Sequence, residues 1–561
     1  MMRREKQLFL GPLALAAALQ GCLSPVLPIP PARAVLVSPA AQGGEAIPPE
    51  VMEWFVGAQR AYGEGQPAEA LRLQRKVMEW LEATPSARPH FRAQSLINLG
   101  LWNGALGRHP EALTALSQAE AILRSLASGS TEARQDLAKA LNNQGESLNA
   151  LARRGEALVA ARAAADLLRK ELRANPAAQR DLAVALINQG RFSDSARQAL
   201  PPTREAAALL RPLAQSDPSE RANLARTLMR LGELHGELGE LPQAEAPIQE
   251  GVALWRQLAA SNPSGRATLA QSLRLQGQLL GGLNRHPEAV ASNVLEVEVR
   301  RQLLAEDPGQ RAALAEALVL LAHRHTQLAQ PQAALPASRE AVRLLRDPRP
   351  ASPAEQRVLG LALSGLGLSH SALGEAREAL AVNQEAVAIL GGSARAIPAS
   401  RADHATALSN LALAYSALGA RQEAMAPAEE TVVIWRALAR TNPAQQADLA
   451  IALKNLGKAY GELGQHQRAV PQLLEAIALL RPLSQARPSL RAELSRALNN
   501  LGFLRLLMGQ PAQARPLLEE ALRIVQPLTT ENPTLRGDLV RTQVNLSNTL
   551  AELQRLQRLK N

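Results

Sequence analysis

The chain has 561 residues, 46% of them hydrophobic but only 2% aromatic, and 62 Lys+Arg against 51 Asp+Glu give a formal charge of +11. A core drawn so heavily from Leu and Ala suits closely spaced helices better than sheets, and a 20% charged fraction with abundant Leu excludes a disordered chain. One cysteine excludes a disulfide scaffold and any Cys-based zinc or iron–sulfur site within one chain, and no apolar run is long enough to span a membrane as a helix.

The N-terminus reads as an export signal: Arg3, Arg4 and Lys6, then an apolar stretch from Leu8 to Leu19. It ends in Leu19-Gln20-Gly21-Cys22, which resembles the bacterial lipobox, where a small residue precedes the lipidated cysteine; Gln20 departs from that pattern. The resemblance implies lipidation at Cys22, and Leu23 rather than Asp after it implies outer-membrane sorting in a Gram-negative cell. Cleavage after Ala32-Arg33-Ala34 would instead release a soluble exported protein, and a cytosolic chain without a signal is the remaining reading. Residues 22–50 then form a tether. Pro25, Pro28, Pro30, Pro31, Pro39, Pro48 and Pro49 favour an extended, semi-rigid spacer at about 3.1 Å per residue.

From residue 51 onward the sequence repeats. Ala112, Ala157, Ala199, Ala244, Ala289, Ala334, Ala379, Ala424, Ala469 and Ala514 are 45 residues apart, except for one step of 42 between Ala157 and Ala199. Twelve residues before most of them stands another small residue, such as Gly100, Gly145, Gly232, Ala322, Ala412, Gly457 or Gly502, and prolines from Pro176 to Pro533 keep the same beat. Each unit predicts two amphipathic helices. In the unit after Asn442, a capping residue, and Pro443, the apolar positions Leu449, Leu453, Leu456 and Tyr460 form one stripe. Gly461 and Gly464 break that helix, and a second runs from about Gln467 through Val470, Leu473, Leu474, Ile477 and Leu480.

Leu453, Leu456-Gly457, Tyr460, Ala469, Ala476 and Pro482 resemble the tetratricopeptide repeat, with units lengthened from the usual 34 residues as in kinesin-light-chain-like repeats. The resemblance implies an all-α, right-handed α-solenoid of helix-turn-helix units over 51–561: about eleven pairs plus a closing helix from Leu539 to Leu559. Small residues at Gly457, Ala469 and Ala476 let helices approach closely. The 42-residue step predicts a tight or distorted turn over Arg191–Gln198, and Pro212, Pro482 and Pro527 predict a kink or helix end.

No catalytic or phosphate-binding motif appears, and no cofactor or metal site is expected. His109, His286 and His466 recur at one turn position of distant units, which reads as solvated turns. Glu205, Glu250, Glu340, Glu385, Glu430, Glu475 and Glu520 also recur at one repeat position, which reads as a structural or solvated ladder rather than an acid/base pair. The expected function is therefore binding without catalysis, by an envelope-anchored scaffold. The first helices of the resembled family line a groove, and Asn98, Asn143, Asn188, Asn410, Asn455, Asn500 and Asn545 stand two residues before its small residues. Amides in register can clamp an extended peptide by both donating and accepting hydrogen bonds; staying hydrated is the other reading. Arg221, Arg266, Arg311, Arg401, Arg491 and Arg536 lie near first-helix starts, where the macrodipole disfavours a cation, so either a neighbouring acid or an anionic partner should offset them. Too few aromatic platforms exist for a single-stranded nucleic acid.

Overall fold

The computed structural model describes residues 47–560 apart from 85–87, 173–174, 177, 348–351 and 398–399; the signal and Cys22 lie outside the described residues. The chain divides into two compact units at residues 285 and 286. The N-terminal unit holds α1 (Pro49–Gly63), α2 (Pro67–Ala83), α3 (Pro89–Ala105), α4 (His109–Leu126), α5 (Thr131–Ala150), α6 (Arg154–Leu172), α7 (Ala178–Phe192), α8 (Ala196–Ser216), α9 (Arg221–Glu237), α10 (Leu241–Ser261) and α11 (Arg266–Gly282). The C-terminal unit holds α12 (His286–Glu306), α13 (Arg311–Gln327), α14 (Pro331–Arg346), α15 (Pro353–Leu373), α16 (Ala376–Ala396) and α17 (Arg401–Ala417). It continues with α18 (Met425–Thr441), α19 (Gln446–Glu462), α20 (His466–Ala486), α21 (Arg491–Leu507), α22 (Pro511–Glu531) and α23 (Arg536–Lys560). No strand occurs among the described residues, and no helix there is long and apolar enough to cross a membrane.

Odd-numbered helices are the first and even-numbered the second of each pair. Within each unit a helix packs on its chain neighbours, and first helices also touch the next first helix, as α3 does α5 and α15 does α17. This is an all-α solenoid of helix-turn-helix units. Many units open with an Asx-capped turn: Asn442 Oδ1 accepts from Ala444 N at 3.0 Å, and Pro443–Gln445 forms a short 3-10 turn before α19. Asp217, Asn262, Asp307 and Asn532 do the same in other units. First helices often end on a left-handed glycine, Gly464 at φ 72° among them.

The small residues act by steric exclusion. A Cβ on Gly457 would lie 2.7 Å from Leu473 Cγ, and one on Gly502 would lie 2.6 Å from Leu518 Cγ. Where the first-helix residue is larger, its counterpart sixteen residues on is smaller: Ala412 goes with Ala428, and Ala322 with Ser338.

Two expectations are corrected. The 42-residue unit keeps a three-residue turn, Ser193–Ser195, and instead ends its first helix two residues after Gly190 rather than five, as α19 does after Gly457. The fully buried Phe192 then packs near Gly145, where a Cβ would meet its ring at 3.0 Å, filling space that Ala161 leaves. Arg154 clasps the turn by donating to the carbonyls of Arg191 (3.0 Å), Phe192 (3.1 Å) and Ser193 (2.6 Å). The prolines do not end their helices either: α8, α20 and α22 run four residues beyond Pro212, Pro482 and Pro527. A proline that close to the C-terminus keeps helical φ and removes one hydrogen bond near an end that is already losing its ladder.

Candidate functional site: the polar ladders of the first helices

First helices are enclosed on several sides. In α19 every residue from Ala447 to Lys454 is buried, so the polar residues among them must find partners inside the protein. The seven asparagines divide accordingly. Asn98, Asn143, Asn188, Asn410 and Asn545 are buried, while Asn455 and Asn500 are half-exposed. Three of the buried amides bridge consecutive first helices: Asn188 Nδ2 donates to Asn142 Oδ1, Asn410 to Ser364 Oγ and Asn545 to Asn499 Oδ1, each at 2.9 Å. Each rung joins the position two before a small residue to the position three before it in the preceding unit. Within the ladder, then, the residues open to a ligand are Asn455 and Asn500. Asn98 is fully buried with neither amide atom hydrogen-bonded among the described residues.

A second ladder runs through the same helices and was not singled out in the sequence, although its spacing is as regular. Asp136 and Asp181, then Asp403, Asp448, Glu493 and Asp538, stand nine residues before the small-residue register at 45-residue steps. Asp136 accepts from Gln94 Nε2 (2.8 Å), His90 Nε2 (3.0 Å) and Lys139 Nζ (3.1 Å). Burial pushes this carboxyl up, but the His90 bond, the Lys139 charge and the Gln94 bond together hold it below the usual range. Asp403 accepts from Arg357 Nε at 2.6 Å, yet burial outweighs that cation and raises it. Near the closing helix the buried pair Lys454–Glu493 joins Arg496, which bonds Glu493 at 2.6 Å and Asp538 at 2.7 Å. Burial raises the Glu493 carboxyl, but two facing cations hold it below its ordinary value. For Asp448 burial outweighs the field of Arg487 and a hydrogen bond from its own backbone N–H, and its carboxyl is pushed up to about 6.

The arginines in register resolve differently. Arg221 Nε donates to the Ala214 carbonyl (3.4 Å) in the last turn of α8. Arg134, at the same register in α5, donates to the Ala127 carbonyl (2.9 Å) just past α4 and to Glu171 (2.5 Å). The carbonyl end of the preceding helix is the negative pole that compensates a cation at a helix start. Arg311 pairs with Glu355 at 3.4 Å, a carboxylate of the following first helix.

The second helices carry the glutamate ladder on their outer side. Arg211–Glu250, Arg301–Glu340, Arg346–Glu385, Arg436–Glu475, Arg481–Glu520 and, across the shortened unit, Arg169–Glu205 each join one second helix to the following one of the same compact unit. At Glu430 the arginine position is Gly391, which breaks the series. His109, His286 and His466 are the first residues of α4, α12 and α20 and are half-buried rather than free in solvated turns.

One small cavity opens beside the half-exposed amide. It holds about 30 Å³ between α17, α18 and α19, and Ser409, Ala412, Leu413, Ala428, Thr431 and Asn455 are among its lining residues. Its origin is the Ala412/Ala428 combination, together with an α18 that starts one residue after Ala424, whereas α20 and α22 start three residues before their own alanines. Leu368, Leu413, Lys458 and Phe503 occupy the position just after the small residue of consecutive first helices; all are half-exposed or exposed, and Leu507 follows on α21.

Family models described as "Tetratricopeptide repeat" match residues 56–125, 404–439 and 494–526, and one described as "Anaphase-promoting complex subunit 5" matches residues 304–353. No curated protein sequence matches the chain. Among solved structures, BtubC (BKLC) from P. vanneervenii is 24% identical over 44% of this chain and 92% of its own, with a TM-score of 0.35. The Cut9–Hcn1 hetero-tetramer of the APC/C is 15% identical over 89% and 96%, with a TM-score of 0.38. The apo form of RapI is 13% identical over 53% and 98%, with a TM-score of 0.33. Tetratricopeptide repeat models thus match segments in both units, residues 56–125 in the N-terminal one and 404–439 and 494–526 in the C-terminal one.

Proposed function

We propose that the protein is a non-enzymatic scaffold that holds a protein or extended peptide partner against the first helices of its C-terminal unit. The observation that carries the reading is the strip of half-exposed Leu413 and exposed Lys458, Phe503 and Leu507 beside the half-exposed amides of Asn455 and Asn500. Phe503 is 42% and Leu507 52% exposed, in a chain whose aromatics are scarce and mostly buried. Apolar anchors flanked by side-chain amides suit a segment that buries side chains and offers backbone N–H and C=O groups to Asn. Tetratricopeptide repeats as protein-binding modules support the same reading, and no cofactor is invoked.

A photo-crosslinking residue placed at 503 or 458 in the living cell should give discrete protein adducts, and one at Val433, exposed on second helix α18, should not. Equal labelling at both places would defeat the assignment. We further propose that the scaffold is anchored at a bacterial envelope through a lipidated Cys22 and the proline-rich tether. Radiolabelled palmitate should enter the wild type and not Cys22→Ala, and equal incorporation would end that part of the proposal.

A further inference from the structure

The first helix pair carries a second candidate surface, independent of the strip above. Between α1 and α2 lies an open groove of about 410 Å³, walled by Pro48, Glu50, Val51 and Trp54 on one side and by Lys76, Glu79 and Trp80 on the other. We propose that this groove binds an extended proline-rich segment of a partner protein, with a basic residue next to its prolines.

Two features of the walls point to that chemistry. First, both indoles are half-exposed and held in place. Trp80 stands edge-on to Phe91 with ring centroids 6.5 Å apart, and Lys76 Nζ sits 5.1 Å over the Trp54 ring. Phe91 is in turn braced by Phe55 at 5.1 Å. The other three tryptophans, Trp102, Trp255 and Trp435, are buried, so exposing Trp54 and Trp80 is a departure from how this chain otherwise uses indole. A polyproline segment is already extended, so its rings can lie on fixed aromatic walls at low ordering cost. Its carbonyls, free of internal hydrogen bonds, accept from indole N–H groups. Second, the charges select a flank. Glu50 and Glu79 are exposed and form no ion pair among the described residues, while the one cation, Lys76, is drawn over Trp54. The rim is therefore net negative, which attracts an arginine or lysine and repels a phosphate backbone.

The placement of the tryptophans supplies the assay. Because the other three are buried, ligand binding at the groove should dominate any change in intrinsic fluorescence. The full-length protein is titrated with the synthetic peptide acetyl-PPPPR-amide, with acetyl-AAAAR-amide and acetyl-PPPPQ-amide as controls. A saturable change with PPPPR and none with AAAAR is expected. Trp80→Ala should weaken binding roughly thirtyfold, the scale of an interface hot spot. Trp54→Ala, which removes the Lys76 contact and packing at the edge of the Val51, Phe55 and Val77 cluster, should also weaken binding, and helix content measured for both variants separates lost binding from a folding defect. Glu79→Gln should lower affinity several-fold for PPPPR and leave PPPPQ unchanged. Equal affinity for AAAAR, or an unaltered titration in both tryptophan variants, overturns the proposal. Replacing Pro28, Pro30 and Pro31 with Ala in the full chain should leave affinity for the peptide unchanged; tighter binding would assign the groove to the chain's own prolines and overturn the partner assignment.

Discussion

First and second helices both carry polar residues at a 45-residue beat, and the two series do opposite things. On the second helices, Arg481–Glu520 and its counterparts sit at the surface, where the pairs are solvated and salt-screened. On the first helices, Asn188–Asn142 and Lys454–Glu493 are enclosed by helices before, after and beside them. Recurrence shows that a position matters to the array. Burial decides whether it matters energetically: removing one partner of a pair costs little on the exposed layer and much on the buried one. Because long repeat arrays need not unfold in one step, the contrast is best measured helix by helix, through hydrogen-exchange protection.

The largest effect is expected at the closing end. Glu493→Ala leaves Lys454 buried without its carboxylate and deprives Arg496 of one of two partners. Uncompensated buried charge costs about 3–5 kcal/mol, so α19, α21 and α23 should lose protection together. A loss confined to residues next to 493 would show that the network is not shared between those helices.

Next comes a gain. Asp448 is raised to about 6 in the folded chain, above its ordinary 3.8, because burial outweighs the pull of Arg487. The folded state therefore binds more protons between pH 4 and 6, and stability from this group falls as pH rises through that window and stays low above it. Asp448→Asn should then stabilise α19 at pH 7 by up to about 3 kcal/mol and leave it nearly unchanged at pH 4. Asp136 and Glu493 are shifted downward and impose the opposite pH dependence, so the quantity to follow is the difference between variant and wild type. A difference that does not vary with pH would mean that Asp448 is better solvated than its burial implies.

A smaller loss is expected from Asn188→Ala. Removing one amide of a buried pair leaves Asn142 unsatisfied, at a cost of about 1–3 kcal/mol. Asn500→Ala, at a half-exposed position of the same register, should change protection by less than about 0.5 kcal/mol. Equal losses would collapse the distinction between rung and surface.

Legibility followed the same division. Helix pairs, their period and their caps could be read because a small residue in register, such as Gly457 against Leu473, has one steric meaning. The second helices are amphipathic: Leu473, Ala476, Ile477 and Leu480 form the buried stripe of α20, which leaves Glu475 outside it. First helices offer no such cue. The run from Ala447 to Lys454 is buried all round, so the sequence pattern has no polar face by which to aim an asparagine, and amides that bridge helices look like amides that meet a ligand. The carboxylate ladder was visible as a spacing, but Asp and Glu are expected at surfaces, and only the enclosing helices reveal that Asp136 and Asp403 are inside. The Trp54–Trp80 groove joins two helices of one pair, and neither residue repeats in the array to draw attention to itself.

The smallest effect tests the outer layer. Arg481 and Glu520 are 2.7 Å apart, with side chains 52% and 27% exposed. In that setting the attraction is weakened by water and offset by the entropy of ordering two long side chains. A double-mutant cycle on Arg481→Ala and Glu520→Ala should return a coupling of about 0.2–1 kcal/mol that shrinks as salt is added. Glu430 provides the internal control: its arginine position is Gly391, so Glu430→Ala should leave neighbouring helices at wild-type protection. A coupling at Arg481–Glu520 as large as the loss from Asn188→Ala, and insensitive to salt, would mean that the second-helix ladder is clamped from outside by something that excludes water. The outer face would then be an interface, and the division between the two layers would have to be redrawn.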